Sequence, residues 1–189
     1  QAGEFLARYP VTPGHELSGT VVETGVAVRN LPVGTPVAVN PNLPCRRCAY
    51  CRRGLVHLCE DPTACGVSFA GGFAEYCKVP AELAIALPAD MPLERGAMME
   101  PVSWCLHGID LAQIRPGDRV VVLGGGSIGL ILLQLARAAG AAKVLVSEPQ
   151  AAKRALALEL GAALAVDPTT SPEALRESVE ALAPGGAEV

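Results

Sequence analysis

Short apolar runs broken by turn residues fill the first half of the chain, and longer, regularly spaced ones fill the second. Residues 17–24 read as a strand, 36–39 as another after the Val33-Gly34-Thr35 turn, and 72–79 as a third that closes before Pro80. Short strands with turn signals between them predict a compact β-rich lobe, from which residues 41–61 project as a loop. The pattern changes near Met91. Residues 94–111 have helical spacing, and Pro116-Gly117-Asp118 is a turn. Strands at 119–123, 143–147 and 163–166 then alternate with helices at 127–139, 150–160 and 172–182. Val120-Val121-Val122-Leu123 is nearly continuous in apolar residues, as a parallel strand covered on both faces would be. After the turn Pro184-Gly185-Gly186, Ala187-Glu188-Val189 reads as the start of a fourth strand.

The expected class is therefore α/β, with a β-rich lobe over residues 1–98 and an incomplete doubly wound parallel sheet over 99–189. Such a sheet has about six strands in its usual form. A chain stopping on the fourth, and opening on Gln1, is expected to be a piece of a longer one. Half of the 189 residues are hydrophobic and 18% are charged, enough to bury a core. A net charge of −4 argues against nucleic acid or an anionic membrane as partner. The most apolar stretch, 120–139, is interrupted by Gly124-Gly125-Gly126, Gln134 and Arg137, so it reads as strand, turn and helix, not as a membrane span.

Seven cysteines change the picture. Cys45, Cys48, Cys51 and Cys59 are separated by two, two and seven residues. A disulfide scaffold would be smaller, less apolar and more evenly studded with cysteine. Two-residue gaps instead let thiolates converge on one tetrahedral ion. Zinc is the default for four thiolates, with an iron–sulfur cluster as the alternative. Four ligands close the coordination sphere, so this zinc is structural, and reduced thiols point to the cytoplasm. Arg46, Arg47, Arg52 and Arg53 are interleaved to offset its charge. Cys77 and Cys105 read as small buried residues of a strand and a helix, and Trp104 and His107 as helix packing.

Gly124-Gly125-Gly126-Ser127-Ile128-Gly129 carries glycine at the first, third and sixth positions of the dinucleotide fingerprint. Gly124 permits the turn, Gly126 lets backbone approach the pyrophosphate, and Gly129 allows close helix–strand contact. The free N–H groups of the helix that opens at Ser127 and Ile128 face the phosphates. Glu148, 24 residues after Gly124, is placed to accept hydrogen bonds from the ribose hydroxyls and repel a 2′-phosphate, which favours NAD over NADP. A solvated surface acid is the other reading of Glu148. Lys153 and Arg154 lie close enough to touch the cofactor and soften the discrimination.

The ordered set Gly14-His15-Glu16, the four-cysteine loop, Gly72-Phe73-Ala74-Glu75-Tyr76, Glu100-Pro101, the glycine turn and Glu148 resembles the zinc-dependent medium-chain dehydrogenase family. The resemblance runs from about Pro13 to Val189. It implies a GroES-like catalytic lobe followed by a Rossmann lobe, with the active site between them. It implies that His15 and Glu100 hold a second, catalytic zinc, with Glu16 beside them in its first or second shell. Glutamate at position 100 resembles the sorbitol and polyol dehydrogenase branch, so an alcohol or polyol is the implied substrate. A homodimer or homotetramer is the implied assembly. The family's further zinc ligand and its proton-relaying serine or threonine come from a segment well before Gly14. Two competing readings are a non-catalytic zinc- and nucleotide-binding module or partner subunit, and a zinc-free quinone reductase. The cysteine loop, His15 and Glu100 argue against the latter.

Overall fold

The computed structural model describes residues 9–171 and 173–189; the expected helix start at Pro172 lies outside them. The chain divides into two compact units, Gln1–Glu100 and Pro101–Val189.

The first unit contains strands β1 (Ser18–Thr20), β2 (Pro36–Val39), β3 (Asn42–Leu43), β4 (Thr63–Ala64) and β5 (Ala84–Ala86) and helices α1 (Ala49–Arg52) and α2 (Leu93–Ala97). β2 lies between β1 and β5 in an antiparallel sheet, with Val37 opposite Gly19 on one side and Ala86 on the other. Val37, Ala38 and Val39 are buried and form the core of this unit with Leu31, Leu83 and Leu87. Helix α2 packs on β1 so closely that a Cβ at Gly96 would lie 2.6 Å from Leu87 Cδ1 and 3.0 Å from Ser18 Cβ.

Two sequence expectations for this unit fail. The first strand is three residues long, not eight. Residues 72–79 form no strand. Their Gly72 and Phe73 amides donate to Gly14 and Pro13 carbonyls, tethering the segment without starting a ladder, and Phe73 and Tyr76 stay exposed. Cys77 is accordingly half-buried and outside any strand.

The second unit alternates α3 (Met99–Ala112, which starts just ahead of the boundary), β6 (Arg119–Leu123), α4 (Ser127–Ala138), β7 (Lys143–Ser147), α5 (Ala151–Glu159), β8 (Leu164–Val166) and α6 (Ala174–Leu182). The helix expected over 94–111 is two helices, α2 and α3, parted at Met98. Pro101 explains the break: it has no N–H for the Ala97 carbonyl, and its ring is tolerated only in a first helical turn. Trp104 is 61% exposed and His107 is exposed too, whereas Cys105 is buried as expected.

Strands β6, β7 and β8 are parallel in that order, with Arg119 opposite Lys143 and Leu145 opposite Leu164. The Val121 amide donates to the Val189 carbonyl at 2.9 Å, and the Glu188 amide to the Arg119 carbonyl at 3.1 Å. The final residues thus run along the free edge of β6, as the expected fourth strand would. This arrangement, with the first strand inside and later ones added on both sides, is the doubly wound order. The strand buried throughout is β7, from Val144 to Ser147. β6 alternates instead, burying Val120 and Val122 and exposing Leu123. Helices α4, α5 and α6 all pack on β7, so its burial follows.

Leu133 of α4 is fully buried among Val120, Val122, Val144, Val146 and Ala157. Leu133→Ala is expected to destabilise the second unit by about 2–5 kcal/mol, the usual cost of an unfilled core cavity. Urea denaturation would show a lower midpoint at unchanged slope.

Candidate metal centres and nucleotide site

The cysteine loop is pinned at its base by the two-residue ladder of β3 and β4, where Asn42 faces Ala64 and Leu43 faces Thr63. Within it the thiols act as local caps. Cys48 Sγ accepts from the Cys51 amide at 3.4 Å, at the start of α1, and Cys59 Sγ accepts from the Cys45 amide at 3.2 Å. Arg46 takes φ +60°, turning the chain so that Cys45 and Cys48 face inward. The four sulfurs all lie within 4.8 Å of one another. A tetrahedral zinc with bonds of about 2.3 Å needs sulfurs roughly 3.8 Å apart, so the set fits the ion. Of the interleaved arginines, Arg46 pairs with Glu82, and Arg47 with Asp61 at 2.8 Å. Both pairs are exposed and spend those charges outside the thiol cluster, so charge offset by arginine is weaker than expected.

Backbone amides do part of that work. Backbone N–H groups of Glu60 and Cys51 bring the Cys48 thiol down to about 6, and those of Arg47 and Cys48 lower Cys45. Burial and neighbouring thiols push Cys51 up to about 12. Cys48 is thus readied as a thiolate, while Cys51 must surrender a proton when a cation enters. Zinc affinity is therefore expected to fall at least about tenfold per pH unit on acidification. Below pH 6 the fall steepens, because Cys48 also has to be deprotonated. Competition with a chromophoric chelator across pH 5–8 measures this slope.

A second cluster is built in the same unit. The ligand atoms of His15, Glu16 and Glu100 lie within 4.8 Å of one another, with His15 and Glu16 exposed and Glu100 half-buried. Backbone packing places them. Gly14 has φ +100°, which favours glycine, and a Cβ there would lie 2.6 Å from the Phe73 ring. A Cβ on Gly66 or Gly71 would strike the Gly14 carbonyl oxygen at 2.4 or 2.1 Å. Glycine is thus required on both sides of the strip that carries His15. Glu100 comes from the other direction, in the first turn of α3, where the helix dipole favours a carboxylate. One imidazole and two carboxylates are nitrogen and oxygen donors suited to zinc.

In the second unit β6 runs into Gly124, which has φ +105°, and α4 begins at Ser127. A Cβ on Gly129 would lie 1.9 Å from the Gly124 carbonyl oxygen, so only glycine lets the helix come this close. At Gly126 nothing lies within 4 Å of a Cβ position, which is the open approach a pyrophosphate needs. Gly126 caps the helix without a side-chain bond, leaving the first-turn N–H groups of Ser127 and Ile128 to an anion.

Glu148 is only 5% exposed, which overturns the solvated-acid reading. Its carboxylate accepts the Gly125 amide at 2.7 Å and the Gln150 amide at 2.9 Å. These bonds, with Gln150 the larger and the Lys153 and Arg154 charges lesser, hold it below the usual carboxylate range. A carboxylate has about four acceptor positions, so capacity remains for ribose hydroxyls. Arg154 donates to the Glu148 and Pro149 carbonyls at 2.8 and 2.6 Å and to Asp167 at 3.0 Å. It braces the turn after β7. Asp167, which sequence reasoning did not single out, is in turn held by Thr169. An acid at the end of the third strand was its only signal.

Residues 1–89 match the model of the alcohol dehydrogenase GroES-like domain, and residues 127–189 that of the zinc-binding dehydrogenase. D-xylulose reductase A of Aspergillus niger is 38% identical over 167 residues, which make up 88% of this chain and 47% of that protein. D-arabinitol dehydrogenase 1 of Uromyces fabae is 37% identical over 161 residues, 85% of this chain and 46% of that protein. A Sinorhizobium meliloti 1021 protein assigned as a zinc-binding dehydrogenase, solved with NADP bound, superposes with a TM-score of 0.91 at 46% identity. That match covers 98% of this chain and 54% of the other. The chain spans about half the length of the curated relatives it matches. It belongs to the zinc-dependent medium-chain dehydrogenase family, with a partial GroES-like unit followed by a partial Rossmann unit. Within that family it is polyol dehydrogenase-like.

No helix among the described residues is long and apolar enough to cross a membrane.

Proposed function

We propose that the whole protein transfers hydride between an alcohol or polyol and NAD, with a catalytic zinc held by His15, Glu16 and Glu100 and a structural zinc held by Cys45, Cys48, Cys51 and Cys59. The observation that carries this reading is the convergence of the His15, Glu16 and Glu100 donor atoms. The resemblance carried by sequence motifs called for this trio, and 84 residues of chain separate Glu100 from His15. A zinc held by these residues would supply Lewis-acid polarisation of the substrate oxygen, and a bound nicotinamide would supply the hydride acceptor. The chain's own residues do the positioning. His15 and Glu16 are fixed by the glycine-packed strip, and Glu100 by the start of α3. The glycine turn and the N-terminus of α4 offer N–H groups to the pyrophosphate.

The choice of NAD rests on Glu148. A buried carboxylate, kept ionised by two amides, would repel a 2′-phosphate. Of the two cations beside Glu148, Lys153 and Arg154, the latter is committed to Asp167 and two carbonyls. The Sinorhizobium meliloti protein, solved with NADP, makes the point worth testing directly.

Elemental analysis of the purified chain, with His15→Ala and Glu100→Gln beside it, tests the metal reading. Two zinc ions per chain, one lost in either variant, support it. Retention of both ions in the variants would overturn it. Polyol oxidation by the full-length enzyme, followed by nicotinamide absorbance with NAD and with NADP, tests the rest; faster turnover with NADP would sink the role given to Glu148.

A further inference from the structure

Two cysteines outside both metal clusters lie against each other. Cys65 Sγ and Cys77 Sγ are 3.9 Å apart, and both approach the Ala70 carbonyl oxygen, at 3.5 and 3.8 Å. Their surroundings differ. Cys65 is completely buried, just past β4, and its amide is tied to the Pro41 carbonyl. Cys77 is half-buried on an irregular segment beside exposed Tyr76. Neither sulfur belongs to the four-thiol loop or to the His15 cluster.

We propose that Cys65 and Cys77 form a reversible dithiol–disulfide site, oxidised by a hydroperoxide. This goes beyond the dehydrogenase reading and does not depend on it. The more accessible Cys77 thiolate attacks the peroxide oxygen, giving a sulfenic acid and releasing hydroxide or alkoxide. The Cys65 sulfur then attacks the Cys77 sulfur. The S–O bond breaks, the Cys65 proton leaves with the oxygen as water, and the S–S bond forms. Two electrons leave the thiols and reduce the peroxide. A thiol reductant reverses the change by exchange through a mixed disulfide.

The geometry supports each part. A disulfide is about 2.05 Å long, so the sulfurs, 3.9 Å apart, need to close by roughly 2 Å. Burial, with Cys77 beside it, pushes the Cys65 thiol up to about 12, which keeps Cys65 inert alone and directs the first attack to Cys77. The segment that the bridge would close carries Gly66, Gly71, Gly72 and Phe73, the same backbone that packs on the Gly14 strip. Oxidation would thus brace the support of His15.

The zinc-loaded chain treated with hydrogen peroxide, alkylated while unfolded, digested and analysed by mass spectrometry gives the test. The expected product is a peptide linking Cys65 to Cys77, with the chain lighter by about 2 Da and restored by dithiothreitol. In Cys77→Ser the link disappears and Cys65 stays alkylatable. In Cys65→Ala, Cys77 stops at the sulfenic acid and is trapped by dimedone. Cys77 reaching sulfinic acid while Cys65 remains free would overturn the proposal. So would a Cys77 link to a loop cysteine, or zinc-loop oxidation before any loss of the Cys77 thiol.

Discussion

Replacing Cys48 by serine is expected to empty the four-thiolate loop and unfold residues 41–61. Structural zinc contributes roughly 10–16 kcal/mol of apparent binding free energy to small thiolate domains, and that energy is also folding energy. Cys48 has two roles, since its sulfur also accepts the Cys51 amide that starts α1. A serine oxygen can keep the cap but is a poor zinc ligand. Zinc affinity should therefore fall by more than the roughly 10- to 100-fold typical of losing a supporting residue near a metal. One zinc per chain should be lost, and protease should cut first within the loop, which has no buried residue between Cys45 and Cys59. A variant that kept its full zinc content and protease resistance would show that the loop does not need the metal.

The second large effect is a contrast between two glycines three residues apart. Gly129→Ala puts a methyl 1.9 Å from the Gly124 carbonyl oxygen, a backbone atom that cannot rotate away. It is expected to cost at least about 1–3 kcal/mol of stability by overpacking, and to displace α4 from the phosphate position. Gly126→Ala meets nothing within 4 Å, and φ of −73° suits alanine, so folding should be unchanged. Its methyl would instead occupy the space a pyrophosphate enters. Nucleotide affinity should drop at least tenfold, or about 1.4 kcal/mol, in both variants. Urea midpoints with calorimetric titration of NAD distinguish them. Equal stability loss at both positions, or unchanged binding by Gly126→Ala, would contradict the assignment of the turn.

What could be read beforehand follows from where the determining forces lie. The β6–glycine turn–α4 unit was legible because its constraints are local: an apolar strand, glycines at fixed offsets and a helical apolar stripe. Four cysteines at short spacing are local in the same sense. The ladders of β3 with β4 and of β2 with β5 were not, because strands of two to four residues exist only through partners distant in sequence. Residues 72–79 show the reverse failure. Their apolar composition suggested a strand, yet packing against Pro13 and Gly14 takes their first amides. The break at Met98 could have been read from Pro101, whose missing N–H outweighs the helical spacing on both sides. Burial of Glu148 could not, since a single acid after a strand looks alike whether it faces solvent or reaches back to Gly125. Residues His15 and Glu100 were named only through resemblance; composition and periodicity place neither of them.

The way His15 is mounted has a practical consequence for redesign. Gly14, Gly66 and Gly71 interlock backbone to backbone, so the position of the strip does not depend on the identity of nearby large side chains. Tyr76, 74% exposed, stands on the segment that packs against the strip, whereas the Phe73 ring lies against Gly14. A mutant library at Tyr76 should be tolerated as folded protein, whereas libraries at the three glycines should return almost nothing but wild type.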